Sequence, residues 1–457
     1  MVHPPDLDRL RELLVKSQFA AIVEAFPVET DTQVADYPLE ALYILSKSLR
    51  FTGAVSPLLR VTRDLIRRAP DQLEAHLQLV DALRLVGDTA GLEAAFAAAL
   101  DRFPAAPPLL VRWVALALLA DDSDEAERRL RLAREAAPEN LAMADLEAQI
   151  ATRRHDFSRA ASLYEAAIPG QPEQRAVLLK KAALLRLYDR IAKRIASASK
   201  AIRSPDYAVL VINLDEHTDR LKQFMAPFAE VGPTVHRVPG VRGRHLPDLA
   251  AARLTDKDGP DFKGTLGCFL AHVAAWERML TLDLPHALIT EDDAHLVLPL
   301  PANTATLDLP PDYDLCFVNR GLELPSTASA DDQGNIVYHP LRSVLVERTV
   351  TSPGGYGYFL SRTGAEKLFR FVERDGFFGD LDWRLVAYST ERDLLTSLDQ
   401  ASLASTALKA QWRIIGGDER LRSYAMFPCL VEPGRKGSQR LADNRRRHVQ
   451  RAEAEPT

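Results

Sequence analysis

The chain has 457 residues, more than one hydrophobic core usually organises, so its length predicts two or three domains. Apolar residues make up 47 % and charged residues 26 %, as in ordinary folded proteins, and the net charge of −6 excludes a general nucleic-acid binder. The three cysteines are sparse and widely spaced, a pattern that predicts neither a disulfide framework nor a zinc site and suits a reducing cytosol.

The N-terminal residues lack a basic region followed by an apolar one, so we expect no signal peptide. The most apolar stretch, Leu109 to Ala120, is short and contains Arg112, which favours a buried helix over a membrane span. We therefore expect a cytoplasmic protein. Basic residues are concentrated near the C-terminus, where they offer a peripheral contact with an anionic membrane face. These are Arg435, Lys436, Arg440, Arg445, Arg446, Arg447 and Arg451.

The first half contains a repeat of 34 residues. Prolines fall at that interval, and a turn residue lies seventeen positions before each of them. The prolines are Pro70, Pro104, Pro138 and Pro172, and the turn positions are Gly53, Gly87, Asp121 and His155. A helix–turn–helix unit with this period is typical of tetratricopeptide repeats, whose helix pairs stack because one pair cannot bury its apolar face alone.

We expect the array to cover residues 1–172, with Leu7 to Phe26 as a degenerate first repeat. Residues 173–204 predict one long helix, which serves as a solubilising cap or as a rigid spacer. The many lysines and arginines of this helix indicate a solvated face.

At residue 205 the pattern changes. The apolar run Tyr207 to Leu214 predicts a buried strand, Asp215 to Glu230 predicts a helix, and Thr234 to Val238 predicts a second strand. A strand, a helix and a strand in this order imply a βαβ unit and a mostly parallel sheet, in which ligands bind outside the carboxyl ends of the strands. Asp314 to Val318 should join this sheet, with Cys316 as buried packing.

A third strand candidate ends in three consecutive carboxylates. The apolar stretch Leu284 to Thr290 is followed directly by Glu291, Asp292 and Asp293. Such a concentration of negative charge needs a compensating cation, and oxygen ligands suit Mg²⁺ or Mn²⁺. The alternative is an acidic turn that caps a following helix.

Two glycine-rich segments flank this strand. Gly264 begins a predicted helix that carries His272 and Trp276 on one face, four residues apart. The segment Pro353 to Tyr358 contains glycines that permit close approach of the backbone to a ligand. The alternatives are a structural core histidine and a simple hairpin or strand entry.

Together these segments resemble glycosyltransferase family 25, the family of lipooligosaccharide and collagen galactosyltransferases. The matching segments, in order, are 211–214 with 219–220, 240–243, 264–276, 287–294 and 355–367. The resemblance covers roughly Tyr207 to Ser438. It implies a GT-A fold at residues 205–440, a UDP-hexose donor, a divalent metal, inversion at the anomeric carbon and a place in lipopolysaccharide biosynthesis, with a basic tail at 441–457.

The resemblance also implies roles for individual residues. The general base maps to Asp382, with Asp380 in reserve, and the alternative for Asp382 is a surface aspartate that caps the next helix. The expected metal ligands are Glu291, Asp292 and Asp293. The expected substrate-binding residues are Asn213, Leu214, Arg220, Gly267, His272, Gly355 and Tyr356.

The chain departs from the family at two positions. The family usually has glutamate where this chain has Thr265, and serine where it has Ala271. The sequence thus predicts an α-helical repeat array joined to an α/β hexosyltransferase domain, in which the repeats recruit a protein partner or a saccharide or protein acceptor. The alternative is a non-catalytic scaffold with a degenerate domain. A chain that starts near Ser204 is expected to hydrolyse a UDP-sugar but to lose most transfer to its acceptor.

Overall fold

The computed structural model describes residues 6–120, 122–138, 142–199, 205–225, 233–247, 263–301, 303–324, 336–377 and 379–434. These residues form two compact units, which divide between Ile150 and Ala151. The predicted basic tail at 441–457 lies outside the described residues. None of the helices that the structure describes is both long enough and apolar enough to cross a membrane.

The first unit consists of α-helices. Three regular helix pairs, α4/α5, α6/α7 and α8/α9, follow three shorter helices, and α10 begins the next pair. The helices are α1 (Leu7–Val15), α2 (Phe19–Ala25), α3 (Asp31–Asp36), α4 (Leu39–Thr52), α5 (Val55–Arg68), α6 (Leu73–Val86), α7 (Thr89–Arg102), α8 (Pro107–Leu119), α9 (Ser123–Ala136) and α10 (Ala142–Arg153). The predicted repeat with a period of 34 residues is confirmed.

Local sequence explains the turns of this array. Gly53 and Gly87 end the first helices of two pairs with φ values of 74° and 78°, a left-handed conformation that glycine adopts without strain. Asp88 and Asp122 then accept backbone N–H groups at the start of the next helix. The predicted turn at Asp121 lies outside the described residues.

Polar side chains link successive repeats. Ser46 donates to Gln78 at 2.7 Å, and the buried Asp81 lies between Arg50 and Arg112, at 2.6 and 3.3 Å. Each of these contacts joins the first helices of two neighbouring repeats. Together with the apolar packing, they hold the repeats in position relative to one another.

The second unit begins with two helices, α11 (Phe157–Ala167) and α12 (Arg175–Ser199). They pack on the sheet of this unit: His155 lies 3.0 Å from the carbonyl of Leu296, and the buried Tyr188 lies 3.5 Å from Cys429. Phe157 stacks on Tyr188. The long helix predicted at 173–204 is therefore present, and its apolar face covers the α/β part of the chain.

The remaining elements form a sheet of seven strands in the order β2-β1-β3-β7-β5-β8-β6, and a two-stranded sheet of β4 and β9. The strands are β1 (Tyr207–Asn213), β2 (Thr234–Pro239), β3 (His286–Glu291), β4 (Ala294–Leu296), β5 (Leu315–Phe317), β6 (Val337–Pro340), β7 (Gly357–Ser361), β8 (Ser423–Phe427) and β9 (Val431–Pro433). The helices are α13 (Thr218–Met225), α14 (Lys263–Thr281), α15 (Leu341–Glu347), α16 (Arg362–Asp375), α17 (Leu381–Tyr388) and α18 (Leu403–Trp412).

The sheet is mixed, which corrects the expectation of a mostly parallel sheet. The predicted βαβ unit is present, and β1 pairs in parallel with both β2 and β3. However, β7 lies antiparallel between β3 and β5, and β6 pairs antiparallel with β8. The segment before Gly357 enters β7 at the edge where β3 ends, so β7 has to run in the opposite direction. The GT-A assignment itself stays a prediction.

Candidate functional site

The site lies at one edge of the seven-stranded sheet. The carboxyl ends of β1, β2, β3, β5 and β8 meet there, together with the amino end of the antiparallel β7. All seven residues of β1 are buried, so the strand holds its last residue firmly at this edge. A strand-end edge of this kind is the usual place for a ligand in an α/β domain.

The three consecutive carboxylates stand at the end of β3. The side chains of Asp292 and Asp293 are 10 % and 18 % exposed, and that of Glu291 is 33 % exposed. The next residues form the strand β4, not a helix, so the alternative of a helix-capping turn is wrong. Gly434 packs against this turn, where a Cβ would lie 1.7 Å from the carbonyl oxygen of Asp293.

Arg220 faces two of these carboxylates. Its Nη1 lies 3.8 Å from Asp292 Oδ1 and 3.8 Å from Asp293 Oδ2. Burial, with the neighbouring charges of Glu291 and Asp292, nevertheless raises the pKa of Asp293 to about 7. Burial also raises the pKa of Asp292. One arginine at this distance does not balance the negative charge, which leaves room for a further cation.

Asn213 holds Asp292 in place. Its Nδ2 donates to Asp292 Oδ2 at 2.7 Å and to the carbonyl of His217 at 2.9 Å, while Arg237 Nε donates to its Oδ1 at 2.8 Å. Both amide hydrogens of this buried residue are therefore engaged within the chain. The expected contact of Asn213 with a nucleotide stays a prediction, and the geometry gives it a positioning role.

A chain of hydrogen bonds connects helix α14 to Glu291. Trp276 Nε1 donates to the Tyr358 hydroxyl at 2.9 Å, and that hydroxyl lies 2.9 Å from His272 Nδ1. His272 Nε2 lies 3.4 Å from Glu291 Oε1. Because a buried hydroxyl hydrogen needs an acceptor, Tyr358 donates to Nδ1, which leaves the proton of the neutral ring on Nε2, directed at Glu291.

The glycine-containing segment before β7, residues 353–356, lies between His272 and Asp382. Gly354 has a φ of 74°, which favours glycine, and its N–H donates to Asp382 Oδ2 at 3.3 Å. Gly355 lies beside His272, where a Cβ would contact the imidazole at 3.8 Å. The Tyr356 hydroxyl accepts from Gly321 N–H at 3.1 Å. The structure thus brings the expected base and the expected histidine to the two ends of one short segment.

Asp382 lies in the first turn of α17 and is partly buried. Its Oδ1 accepts from the N–H of Trp383 at 2.9 Å. The residue at the N-cap is Asp380, which makes no capping bond with its side chain. The choice between these two carboxylates as base stays a prediction, although Asp382 is the one tied to the glycine segment.

Gly267 and Leu214, which were expected to bind the substrate, lie at packing contacts. Gly267 is buried beneath the loop at 240–243, and a Cβ would lie 2.4 Å from the carbonyl oxygen of Val241. Leu214 packs at the same place, 3.0 Å from a Cβ built on Gly240. The geometry gives both residues packing roles, and their contact with a substrate stays a prediction.

Sequence reasoning missed three residues of this site. Arg237 was hidden because a single arginine near a strand end carries no motif. Tyr358 lies 86 residues from His272 in sequence, so only the fold reveals their contact. Cys268 lies four residues before His272 on α14, and that helical spacing was the available signal.

The carboxylates at the end of β3 fit a hard divalent cation. They offer only oxygen donors, which Mg²⁺ and Mn²⁺ prefer. Burial, with the charges of Glu291 and Asp292, raises the pKa of Asp293, and a bound cation would favour its ionised form. In the described part of the chain, Cys268, His272 and Glu291 form a group of potential metal ligands, with one ligand atom of each within 4.8 Å of the other two. Only Glu291 of this group belongs to the expected triad. The complete expected triad therefore stays a prediction.

The fold and the site define a class: a helical repeat protein with an α/β domain that gathers carboxylates at its central strand end. The family model for glycosyltransferase family 25, described as an LPS biosynthesis protein, matches residues 207–376. The family that the resemblance predicted thus matches this part of the chain.

Curated relatives agree with this assignment. Proteins described as glycosyltransferase 25 family members from Anopheles gambiae and Aedes aegypti are each 30 % identical over 95 residues, which cover 19 % of this chain and 16 % of theirs. A member from Drosophila melanogaster is 24 % identical over 185 residues, covering 35 % of this chain and 27 % of its own. The chain thus spans a small part of the length of these relatives.

Solved structures of repeat proteins are similar to part of the chain. A thermophilic TPR protein of Thermus thermophilus aligns with 40 % of this chain and 97 % of its own, with 21 % identity and a TM-score of 0.31. A tetratricopeptide repeat protein of Parabacteroides merdae aligns with 44 % of this chain and 80 % of its own, with 12 % identity and a TM-score of 0.33.

Proposed function

We propose that this chain is a metal-dependent, inverting glycosyltransferase that moves a hexose, galactose or glucose, from a UDP-sugar to a saccharide or protein acceptor. The observation that carries the proposal is the group of poorly exposed carboxylates at the end of β3, within a domain of family 25. Clustered carboxylates whose negative charge is not balanced by nearby cationic side chains are typical of a site that binds a metal and a diphosphate.

In this proposal Glu291, Asp292 and Asp293 hold Mn²⁺ or Mg²⁺, which would neutralise the charge that develops on the diphosphate leaving group. Asn213 fixes the orientation of Asp292 through the bond at 2.7 Å. Arg220, already directed at the carboxylates, lies where it can also contact a phosphate oxygen.

Asp382 is the proposed general base. An inverting transfer needs one group that takes the proton of the acceptor hydroxyl while that hydroxyl attacks the sugar. The N–H groups of Gly354 and Trp383 donate to the carboxylate and orient it. His272 and Gly355 form the wall between this base and Glu291.

We propose that the repeat array recruits the acceptor or a protein partner, because stacked repeats present an extended surface for a polypeptide. One of the two departures from the family sequence, Ala271, lies in the core. Ala271 is buried in the core of the domain, away from solvent, so the absent serine hydroxyl removes no group from an open pocket. This arrangement favours the enzyme over the scaffold alternative.

The test is release of UDP from a panel of UDP-sugars by the purified chain with Mn²⁺. We expect turnover that excess EDTA abolishes and that Asp293→Ala lowers by several orders of magnitude while the chain stays folded. The matched control is Asp219→Ala, because that carboxylate lies one residue from Arg220 but is 90 % exposed. Full activity in EDTA would contradict the proposal.

A further inference from the structure

Three side chains of different chemistry converge beside the acidic turn. Cys268 and His272 lie one turn apart on the same face of α14, and both are directed at one oxygen of Glu291. Cys268 Sγ lies 3.9 Å from Glu291 Oε1, and His272 Nε2 lies 3.4 Å from the same atom. The sulfur, the nitrogen and the oxygen all lie within 4.8 Å of one another.

Two of these distances are close to the edges of a tetrahedral zinc site, and the third, between sulfur and nitrogen, is within 4.8 Å. With Zn–N and Zn–O bonds of about 2.1 Å and a Zn–S bond of about 2.3 Å, tetrahedral geometry separates nitrogen from oxygen by about 3.4 Å and sulfur from oxygen by about 3.6 Å. The observed separations of 3.4 and 3.9 Å need a shift of only a few tenths of an ångström in one pair.

The surroundings support the histidine as a metal ligand. A histidine that binds zinc through one nitrogen nearly always has its other nitrogen held by a neighbouring polar group. Here the Tyr358 hydroxyl lies 2.9 Å from Nδ1, and Trp276 holds that hydroxyl from the opposite side. The ring is fully buried and stacks on Tyr358, so its Nε2 stays directed toward Cys268 and Glu291.

We propose that Cys268, His272 and Glu291 form a zinc site with three protein ligands and an open fourth position. A thiolate and an imidazole select a softer ion such as Zn²⁺ over Mn²⁺ or Mg²⁺, which the all-oxygen group at Asp292 and Asp293 favours. This ligand set overlaps that of the proposed transferase metal, because both include Glu291. Zinc bound here withdraws Glu291 from that group and therefore inhibits the transferase.

The protons balance simply. Binding requires a thiolate, so the Cys268 thiol releases one proton to the buffer. The neutral imidazole binds through Nε2, and its proton moves to Nδ1, where the Tyr358 hydroxyl changes from donor to acceptor. The hydroxyl hydrogen then loses its acceptor, which makes this a weaker site than a dedicated structural zinc site and suits reversible occupancy.

The test is titration of the metal-free, full chain with Co²⁺, which reports its ligands by absorption. We expect one ion per chain, with visible bands of a four-coordinate ion and a thiolate-to-cobalt band in the near ultraviolet, both displaced by Zn²⁺. Cys268→Ser should remove the near-ultraviolet band. Tyr358→Phe should keep that band, because the hydroxyl is not a ligand of the ion.

The matched controls are Cys316→Ala, which removes a buried thiol elsewhere in the sheet, and Asp293→Asn, which removes a carboxylate outside the site. Both should keep the band. Absence of the band in the wild-type chain, or its persistence in Cys268→Ser, overturns the proposal. The cobalt spectrum can be measured without turnover, so it is independent of the proposed function. A chain that shows the cobalt band but no activity contradicts only the proposed function. An active chain that lacks the band contradicts only the zinc site.

Discussion

The pKa of Asp293 predicts how the stability of the metal-free protein changes with pH. Burial, with the charges of Glu291 and Asp292, raises this pKa from 3.8 to about 7. A pKa shift of about three units corresponds to about 4 kcal/mol, at about 1.4 kcal/mol per unit. Because the neighbouring carboxylates titrate together with Asp293, we assign about half of this free energy to Asp293 itself. We therefore expect an effect of about 2 kcal/mol on the free energy of unfolding.

The sign follows from proton binding. Between pH 3.8 and about 7 the folded chain holds a proton on Asp293 that the unfolded chain has released. This contribution to stability is complete below the unfolded pKa and is lost as the pH rises through the folded pKa. The metal-free protein should therefore be more stable at about pH 5 than at about pH 8. About two of the three pH units lie in this interval, which leaves about 1.3 kcal/mol, or about 3–5 °C in melting temperature at about 2–4 °C per kcal/mol for a large domain.

The measurement is thermal unfolding of the full chain in EDTA at these two pH values, compared with Asp293→Asn. The variant carries no charge at this position, so this part of the pH dependence should disappear, whereas the exposed control Asp219→Asn should keep it. Mn²⁺ should raise the melting temperature of the wild-type chain most at the higher pH, where the carboxylate is ionised. An unchanged pH dependence in Asp293→Asn would refute the reasoning.

Four further predictions concern turnover and folding. Asp382→Asn should lower the rate of transfer by about 10²–10⁴-fold while UDP binding, measured by calorimetry, stays intact; a dead Asp380→Asn beside a near-normal Asp382→Asn would move the base by two residues. Arg220→Ala should raise the donor KM about tenfold, the value of one charge-assisted contact, and an unchanged KM would limit the role of Arg220 to its contacts with Asp292 and Asp293. A chain from Ala142 should hydrolyse a UDP-sugar but transfer poorly, because recruitment is lost. A chain from Ser204 also lacks the helix that covers the sheet and should lose its cooperative melting; normal folding of it would show that this helix is only a spacer.

The start of the α/β unit could not be located from the sequence, and this is why the truncated chain begins at Ala142 and not at Ser204. The lysines and arginines of residues 173–204 indicated a solvated helix, and its opposite face gave no sign of a partner in sequence. In the structure that face buries Tyr188 against Cys429, 241 residues later. A pattern of apolar residues predicts that a helix face is buried but does not identify what covers it.

The sequence by itself determined the features that depend on local or periodic pattern. The 34-residue interval fixed the helix pairs, the glycines at Gly53 and Gly87 fixed their turns, and the apolar run before Asn213 fixed the first strand. The carboxylates at the end of β3 were also visible in sequence, because an apolar strand that ends in three acids has few local explanations.

Only the tertiary structure decided how these parts meet. The antiparallel β7 placed Tyr358 beside His272, and the glycine segment before it lies between His272 and Asp382, which bonds to the N–H of Gly354. The same packing directed Cys268 at Glu291 and turned an isolated thiol into part of a ligand set. These contacts join residues far apart in sequence, and their geometry depends on strand order and direction, which are set by the packing of the whole sheet and not by any local pattern.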